Sequence, residues 1–222
     1  MNLTIASDAA ARAPRLCLGL LTMRGLTIRA KDDTLWSELE RACADFVARC
    51  GVNALASDPR ISAVRRLFKA IGVDPSRYRP SSEALARRVA QGKGLYQINT
   101  VVDVNNWCSL MERLPFGVYD AQQVGDEVLL RLGREGEVYE GIGKSLISLE
   151  GKMLLSDAQG AFGSPISDST RAMVTPQTRD IHLVVFAPDV TREALQQILQ
   201  TTNERMQRYN QGECERMEIV TA

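Results

Sequence analysis

The 222-residue chain is predicted to fold as a single compact α+β domain. Three observations predict this. Apolar residues recur at three- and four-residue steps through the first half, the period of helices packed on one face. Short β-branched runs punctuated by glycine dominate the second half, as in strands joined by turns. No internal repeat or low-complexity linker divides the chain. With 45% hydrophobic and 24% charged residues the composition is that of a globular protein, and this length can bury a substantial core.

Each element follows from local signals. Residues 1–14 lack a basic region followed by an apolar run, so they read as a flexible leader rather than a secretory signal, and 15–222 as the domain. The aliphatic stretch from Arg15 to Arg29 predicts one or two strands. Leu35, Trp36, Leu39, Cys43, Phe46, Val47 and Cys50 then form a helical stripe, capped by Asp32-Asp33-Thr34 and stopped at Gly51. Asp58-Pro59 opens a second helix with Ile61, Val64, Leu67, Phe68 and Ile71 inward, ending at Gly72. After a turn-rich connector, Ser81-Ser82-Glu83 starts a third, stopped by Gly92-Lys93-Gly94. The spacing of Val101, Val104, Cys108, Met111 and Leu114 predicts a fourth, capped by Asn99 or Thr100. Beyond Asp120, Glu127–Leu132 and Glu137–Ile142 flank Gly133-Arg134-Glu135-Gly136, the signature of a hairpin. Lys152–Ser156, Ile181–Ala187 and Met217–Val220 are predicted strands, and Thr191–Asn210 a long helix.

Several function classes are excluded early. No run nears the roughly 20 apolar residues of a membrane span. The five cysteines are odd in number and free of CxxC or CxxH spacing, which argues against zinc and redox motifs and for a reducing cytoplasm. Cys43 and Cys50 share a helix face and read as packing. No GxSxG elbow, GxxxxGK[ST] or GxGxxG loop occurs, and the GxGK at Gly141–Lys144 is too short a match to matter. No metal or cofactor is therefore expected. The single histidine, His182, lies in an apolar strand and reads as structural.

Formal net charge is zero, against a general nucleic-acid binder. Its distribution says more. Between Arg60 and Lys93 nine basic residues face two acidic ones, a local +7 against −7 elsewhere. That segment is either the solvated faces of two helices or a phosphate-contacting surface involving Arg65, Arg66, Arg77, Arg79, Arg87 and Arg88.

Polar residues set within apolar elements are the candidates for chemistry. VVDVNNW places Asp103, Asn105 and Asn106 among valines and a tryptophan; an asparagine pair either grips a ligand through acceptor and donor together or ties down neighbouring backbone. The second candidate is Asp157 with the loop from Gly163 to Arg171. There Gly163, Ser164 and Ser169 can approach a ligand closely, and Asp168 and Arg171 either form an orienting pair or a solvated surface one.

QINTVVDVNNWCSLMERLPFGVYD (Gln97–Asp120) resembles the core of the tRNA-editing (B3/B4) module of the bacterial phenylalanyl-tRNA synthetase beta subunit, which also exists as a free-standing protein. The likeness runs from about Tyr78 to Pro188, through the Gly-Glu hairpin, the LLSDA strand, the small-residue loop and the VVFAP strand. It implies mixed β-sheets of sandwich-like topology flanked by helices. It also implies a deacylase that hydrolyses the ester of a mischarged tRNA in trans, with the aminoacylated 3′ end of tRNA as partner. By the same likeness the family's pocket threonine falls at Asn105, its asparagine at Asn106 and its glutamate near Asp168 or Ser169, while its histidine falls at Gly117 and is absent. Asn105, Asn106 and Asp168 are thus the expected catalytic residues, with Asp103, Gly117, Asp157, Gly163, Ser164, Ser169 and Arg171 lining the pocket. The missing histidine leaves a second expectation, a binding module for tRNA or an amino acid without hydrolysis. A hydrolase or binding protein for another small amide or ester is a third.

Overall fold

The structure, a computed structural model, describes residues 1–50, 54–143 and 146–222. Among the described residues, eight of ten strands form two four-stranded sheets. The first contains β1 (Asn2–Ile5), β4 (Glu127–Leu132), β7 (Met153–Asp157) and β8 (Gly160–Gly163) in that order, with β1 parallel to β4 and the other pairs antiparallel. The second has the order β10 (Glu213–Thr221), β2 (Leu16–Arg24), β9 (Ile181–Pro188), β3 (Phe116–Asp120), antiparallel throughout. The remaining two, β5 (Val138–Glu140) and β6 (Leu146–Ser148), make a separate ribbon. The α+β class and the single domain are as expected.

The helices form where capping and periodicity place them. In α2 (Asp33–Arg49) the Asp32 carboxylate accepts from the Leu35 N–H and Leu35, Leu39, Cys43 and Phe46 are buried. The stop expected at Gly51 lies outside the described residues. Asp58 caps α3 (Pro59–Ala70) with proline in its first turn. α4 (Ser81–Ala90) and α5 (Thr100–Glu112) follow, the latter capped by the Asn99 side chain on the Val102 N–H. α6 (Arg192–Asn210) is capped by Thr191.

The second sheet holds the core. All eight residues of β9 are buried, and β2 is buried from Leu18 to Met23, so both strands are covered on both faces. Gly19 shows what covers one of them: a methyl added there would lie 3.0 Å from Leu199 of α6. Because Gly19 pairs with Val185 and Val185 with Phe116, these three share the face under α6. α5 lies beside α6 in that helical layer; Trp107 and Tyr209 rings meet at 6.4 Å, and the Asn210 amide reaches the Thr100 carbonyl. Gly117, Tyr119 and His182 point to the opposite face, where the edge of Phe162 from β8 meets Tyr119 at 4.9 Å between centroids.

Two expectations are corrected. Residues 1–14 are not a loose leader: β1 pairs with β4, and α1 (Ser7–Arg12) buries Ala9 completely. Four residues of strand were too few to read against a polar background. The hairpin between Glu127–Leu132 and Glu137–Ile142 does not form either. The Arg134–Glu137 turn closes as predicted, yet β4 pairs with β1 and β7 while β5 turns away to β6. The backbone of Leu149 crosses against Gly133, where an added methyl would be 2.0 Å from its carbonyl oxygen, and so separates the two strands.

Candidate functional site

The residues expected in one pocket fall into two groups. Gly117, Gly163, Ser164 and Asp168 converge on a side chain that sequence reasoning passed over, the phenol of Tyr119. Its hydroxyl donates to Asp168 Oδ1 at 2.9 Å, and the Ser164 N–H donates to the same oxygen at 3.2 Å. A Cβ on Gly117 would stand 2.0 Å from that hydroxyl and one on Gly163 2.2 Å from it. The two glycines are therefore the walls of a slot filled by the ring. The signal was present in the sequence as two glycines and a tyrosine, but only pairing across two sheets shows that they meet.

This arrangement governs the protonation of Asp168. The residue is half-buried, and the protein mass around its carboxyl pushes its pKa up to about 7, against the opposing pull of the Tyr119 and Ser164 donors. Tyr119 is itself held well above the ordinary tyrosine range, by burial first and by the neighbouring Asp168 charge second. A second phenol, Tyr139, closes the loop by donating to the Ser167 carbonyl, and Ser164 Oγ donates to that carbonyl at 2.8 Å. Ser169 is buried, its Oγ has no partner among the described residues, and its N–H donates to the Phe162 carbonyl.

Arg171 does not pair with Asp168. Its guanidinium lies 3.0 Å from Asp157, whose side chain has no exposed surface, and it also donates to Gly160 and Gln123 carbonyls. A buried carboxylate needs that counter-charge more than one already held by a phenol. Burial raises the Asp157 pKa, but the Gly125 N–H and Arg171 outweigh it and hold the group below its ordinary value. The pair fixes the end of β7 to the loop before β9.

Asn105 and Asn106 form the other group. They ride on α5, in the helical layer on the far side of the second sheet, and no hydrogen bond among the described residues links them to Asp168. Asn105 is 5% exposed, and its buried Oδ1 has no partner among the described residues; Asn106 is half-buried. Asp103 supports the fold: its Oδ1 accepts from the Ile98 N–H at 2.8 Å, reaching back across the start of α5 as Asn99 reaches forward. Burial raises its pKa to about 6 despite that bond. Asp120 is likewise structural, accepting from the Gln122 N–H and the Thr178 hydroxyl. His182 is buried beside Thr22, its Nδ1 3.0 Å from the hydroxyl, and burial lowers its pKa to about 4.

The basic segment is partly neutralised. Glu83 is buried in α4 and receives both Arg65 and Arg87 at 2.7 Å, while Arg66 turns to Asp189. Burial raises the Glu83 pKa, but the two guanidinium groups more than offset it. Arg77, Arg79 and Arg88 have no acidic partner among the described residues, and Arg88 lies 3.8 Å over the ring of Tyr96.

Comparison with known proteins decides the family. The model of the B3/4 domain matches residues 63–217. The chain belongs to the B3/4 domain family. It is 28% identical over 107 residues to the phenylalanine–tRNA ligase beta subunit of Neisseria meningitidis serogroup A, covering 44% of this chain and 13% of that protein. The serogroup B counterpart is 27% identical over 107 residues. The chain thus spans a small part of the length of the curated relatives it matches. A crystal structure of an N-terminal fragment of the phenylalanyl-tRNA synthetase beta subunit from Pyrococcus horikoshii aligns over 99% of this chain and 50% of that one, at 13% identity and a TM-score of 0.47. The B3/4 match begins inside α3, so β2, between β9 and β10 in the second sheet, comes from outside it. Among the described residues no helix is long and apolar enough to cross a membrane.

Proposed function

We propose that this B3/4-domain protein acts on tRNA as an aminoacyl-ester hydrolase, removing a wrongly attached amino acid in trans. The observation that carries the reading is Asp168: a carboxyl poised near neutrality beside glycine-walled backbone, in a family whose relatives include tRNA ligase subunits. A base with a pKa near the working pH combines an adequate ionised fraction with useful proton affinity. Asp168 as carboxylate takes a proton from a water molecule while that water's oxygen bonds to the ester carbonyl carbon. The tetrahedral adduct then expels the ribose oxygen, which recovers the proton from Asp168. The Ser164 N–H and Tyr119 hydroxyl hold the carboxylate in place. Asn105 and Asn106, on the far side of the second sheet, take no part in this step, and the unpartnered Asn105 oxygen is buried within the helical layer.

The test is turnover on a panel of mischarged tRNAs. The wild type is expected to release amino acid catalytically from at least one, and Asp168→Asn to lose at least two orders of magnitude in kcat while still binding tRNA. Release unaffected by Asp168→Asn in a folded protein would remove that residue from the chemistry. One observation favours a second reading, a binding module without hydrolysis. Tyr119 fills the slot between Gly117 and Gly163, so position 117 has no room for the family histidine. Stoichiometric tRNA protection without turnover would decide for that reading.

A further inference from the structure

Between α4 and the segment that leads to Asn99 lies a concavity of about 330 Å3, lined by Arg79, Arg87, Arg88, Gln91, Lys93 and Tyr96, with Ala84 and Leu85 of α4 beside them. It has three properties that a solvated helix face lacks. First, its charge is uncompensated: Arg87 is bound to Glu83, but Arg79, Arg88 and Lys93 have no acidic partner among the described residues, and no carboxylate lines the hollow. Second, an aromatic ring stands open in it. Tyr96 is 51% exposed, and the Arg88 guanidinium stacks on it at 3.8 Å, a flat cationic surface pre-formed without a ligand. Third, Arg88 Nε is buried and has no hydrogen-bond acceptor among the described residues, so the stacked guanidinium has an unmet donor there.

We infer that this concavity is a binding site for the unpaired end of an RNA strand, one nucleotide seated on the Tyr96–Arg88 stack with its phosphates between Arg79 and Lys93. The inference rests on the reading of RNA as partner but not on hydrolysis. Stacking on an exposed aromatic beside arginine and lysine is how proteins hold single-stranded nucleic acid, because every base has a face to stack and every linkage a charge to neutralise. A duplex offers stacked bases that the hollow cannot reach. An acidic peptide satisfies the cations but leaves the Tyr96 face unused. The connection runs Lys93, Tyr96, Ile98, Asn99, and Asn99 caps α5; a nucleotide held here is tied by six residues of chain to the helix carrying Asn105 and Asn106.

The test is fluorescence anisotropy with a labelled RNA hairpin bearing a four-nucleotide 3′ tail and the same hairpin made blunt. The wild type is expected to prefer the tailed form at least tenfold. Tyr96→Ala should reduce tailed-RNA binding about tenfold and leave the weak blunt binding unchanged. Arg79→Gln with Lys93→Gln should flatten the salt dependence by about 1.4 units in slope. All three positions are exposed at the surface, and equal melting temperatures confirm folding. The inference is overturned if Tyr96→Ala binds the tailed hairpin as the wild type does, or if polyglutamate displaces that hairpin as readily as an RNA tetranucleotide does. An adenosine monophosphate arm separates a free-nucleotide site from a strand end: displacement by the mononucleotide at concentrations where the tetranucleotide also displaces would overturn the assignment to a strand. The hydrolysis reading fails separately, when wild type binds the tail and turns over no mischarged tRNA. It survives failure of this inference if mischarged tRNA is turned over by wild type while Tyr96→Ala binds the tailed hairpin as the wild type does.

Discussion

A carboxyl held neutral up to about pH 7 leaves a signature in both activity and stability. For Asp168 the folded state binds the proton more tightly than the unfolded chain, whose aspartates ionise near pH 4. Its contribution to stability is therefore complete below about pH 4 and is lost as pH rises through about 7. Asp168→Asn is expected to flatten the melting temperature between these limits, and to melt no lower than wild type at pH 8. Hydrolysis should run the opposite way, rising through pH 7 as the base ionises, which a pH–rate profile on mischarged tRNA would show. Tyr119 gives a steric counterpart. Gly117→Ala forces a methyl to within 2.0 Å of the Tyr119 oxygen and should cost about 1–3 kcal/mol by denaturant unfolding. Truncating the ring in Tyr119→Ala removes the clash, so the double variant should be less destabilised than the sum of the singles. Strict additivity would mean that the slot is not where the strain lies.

At the scale of elements, α4 shows how a charge stripe divides. Glu83 sits inside the helix with 1% of its side chain exposed, and both arginines that reach it are about 30% exposed. Glu83→Ala strands two guanidinium groups and is expected to lower stability by about 3 kcal/mol in chemical denaturation. Charge reversal at Arg65 would act through the same pair, so loss of RNA binding there reports on folding as much as on contact. The helices were legible because their signals are local: Asp32, Asp58 and Asn99 each cap the helix that their position foretold. Strand partners were not, because pairing is decided at distances no window spans. Glu127–Leu132 was recognisable as a strand, but nothing near it announced Asn2–Ile5 as its neighbour 125 positions away. The candidate site suffered in the same way. Asp168, Gly117 and Gly163 stood out as unusual residues, whereas Tyr119, which unites them, reads locally as one more buried aromatic.

For the whole molecule, the two sheets and the helical layer make one body whose middle strand lies early in the chain. A fragment cut to the B3/4 match, 63–217, removes β2 and the last four residues of β10, and so dismantles that side of the second sheet. Such a fragment is expected to lack a cooperative melting transition by circular dichroism; a sharp one would show that β9 and β10 can close without β2. The same placement bears on how the chain is made. β2 leaves the ribosome well before its partners, which lie about 160 and 200 positions later, at Ile181 and beyond. At roughly 5–20 residues per second, the Leu16–Met23 run waits on the order of ten seconds or more for its neighbours. Throughout that interval an aliphatic segment with both backbone edges unpaired is available to other nascent chains. Slower synthesis or added chaperone is therefore expected to change the yield of folded chain, which expression at reduced translation rate would measure.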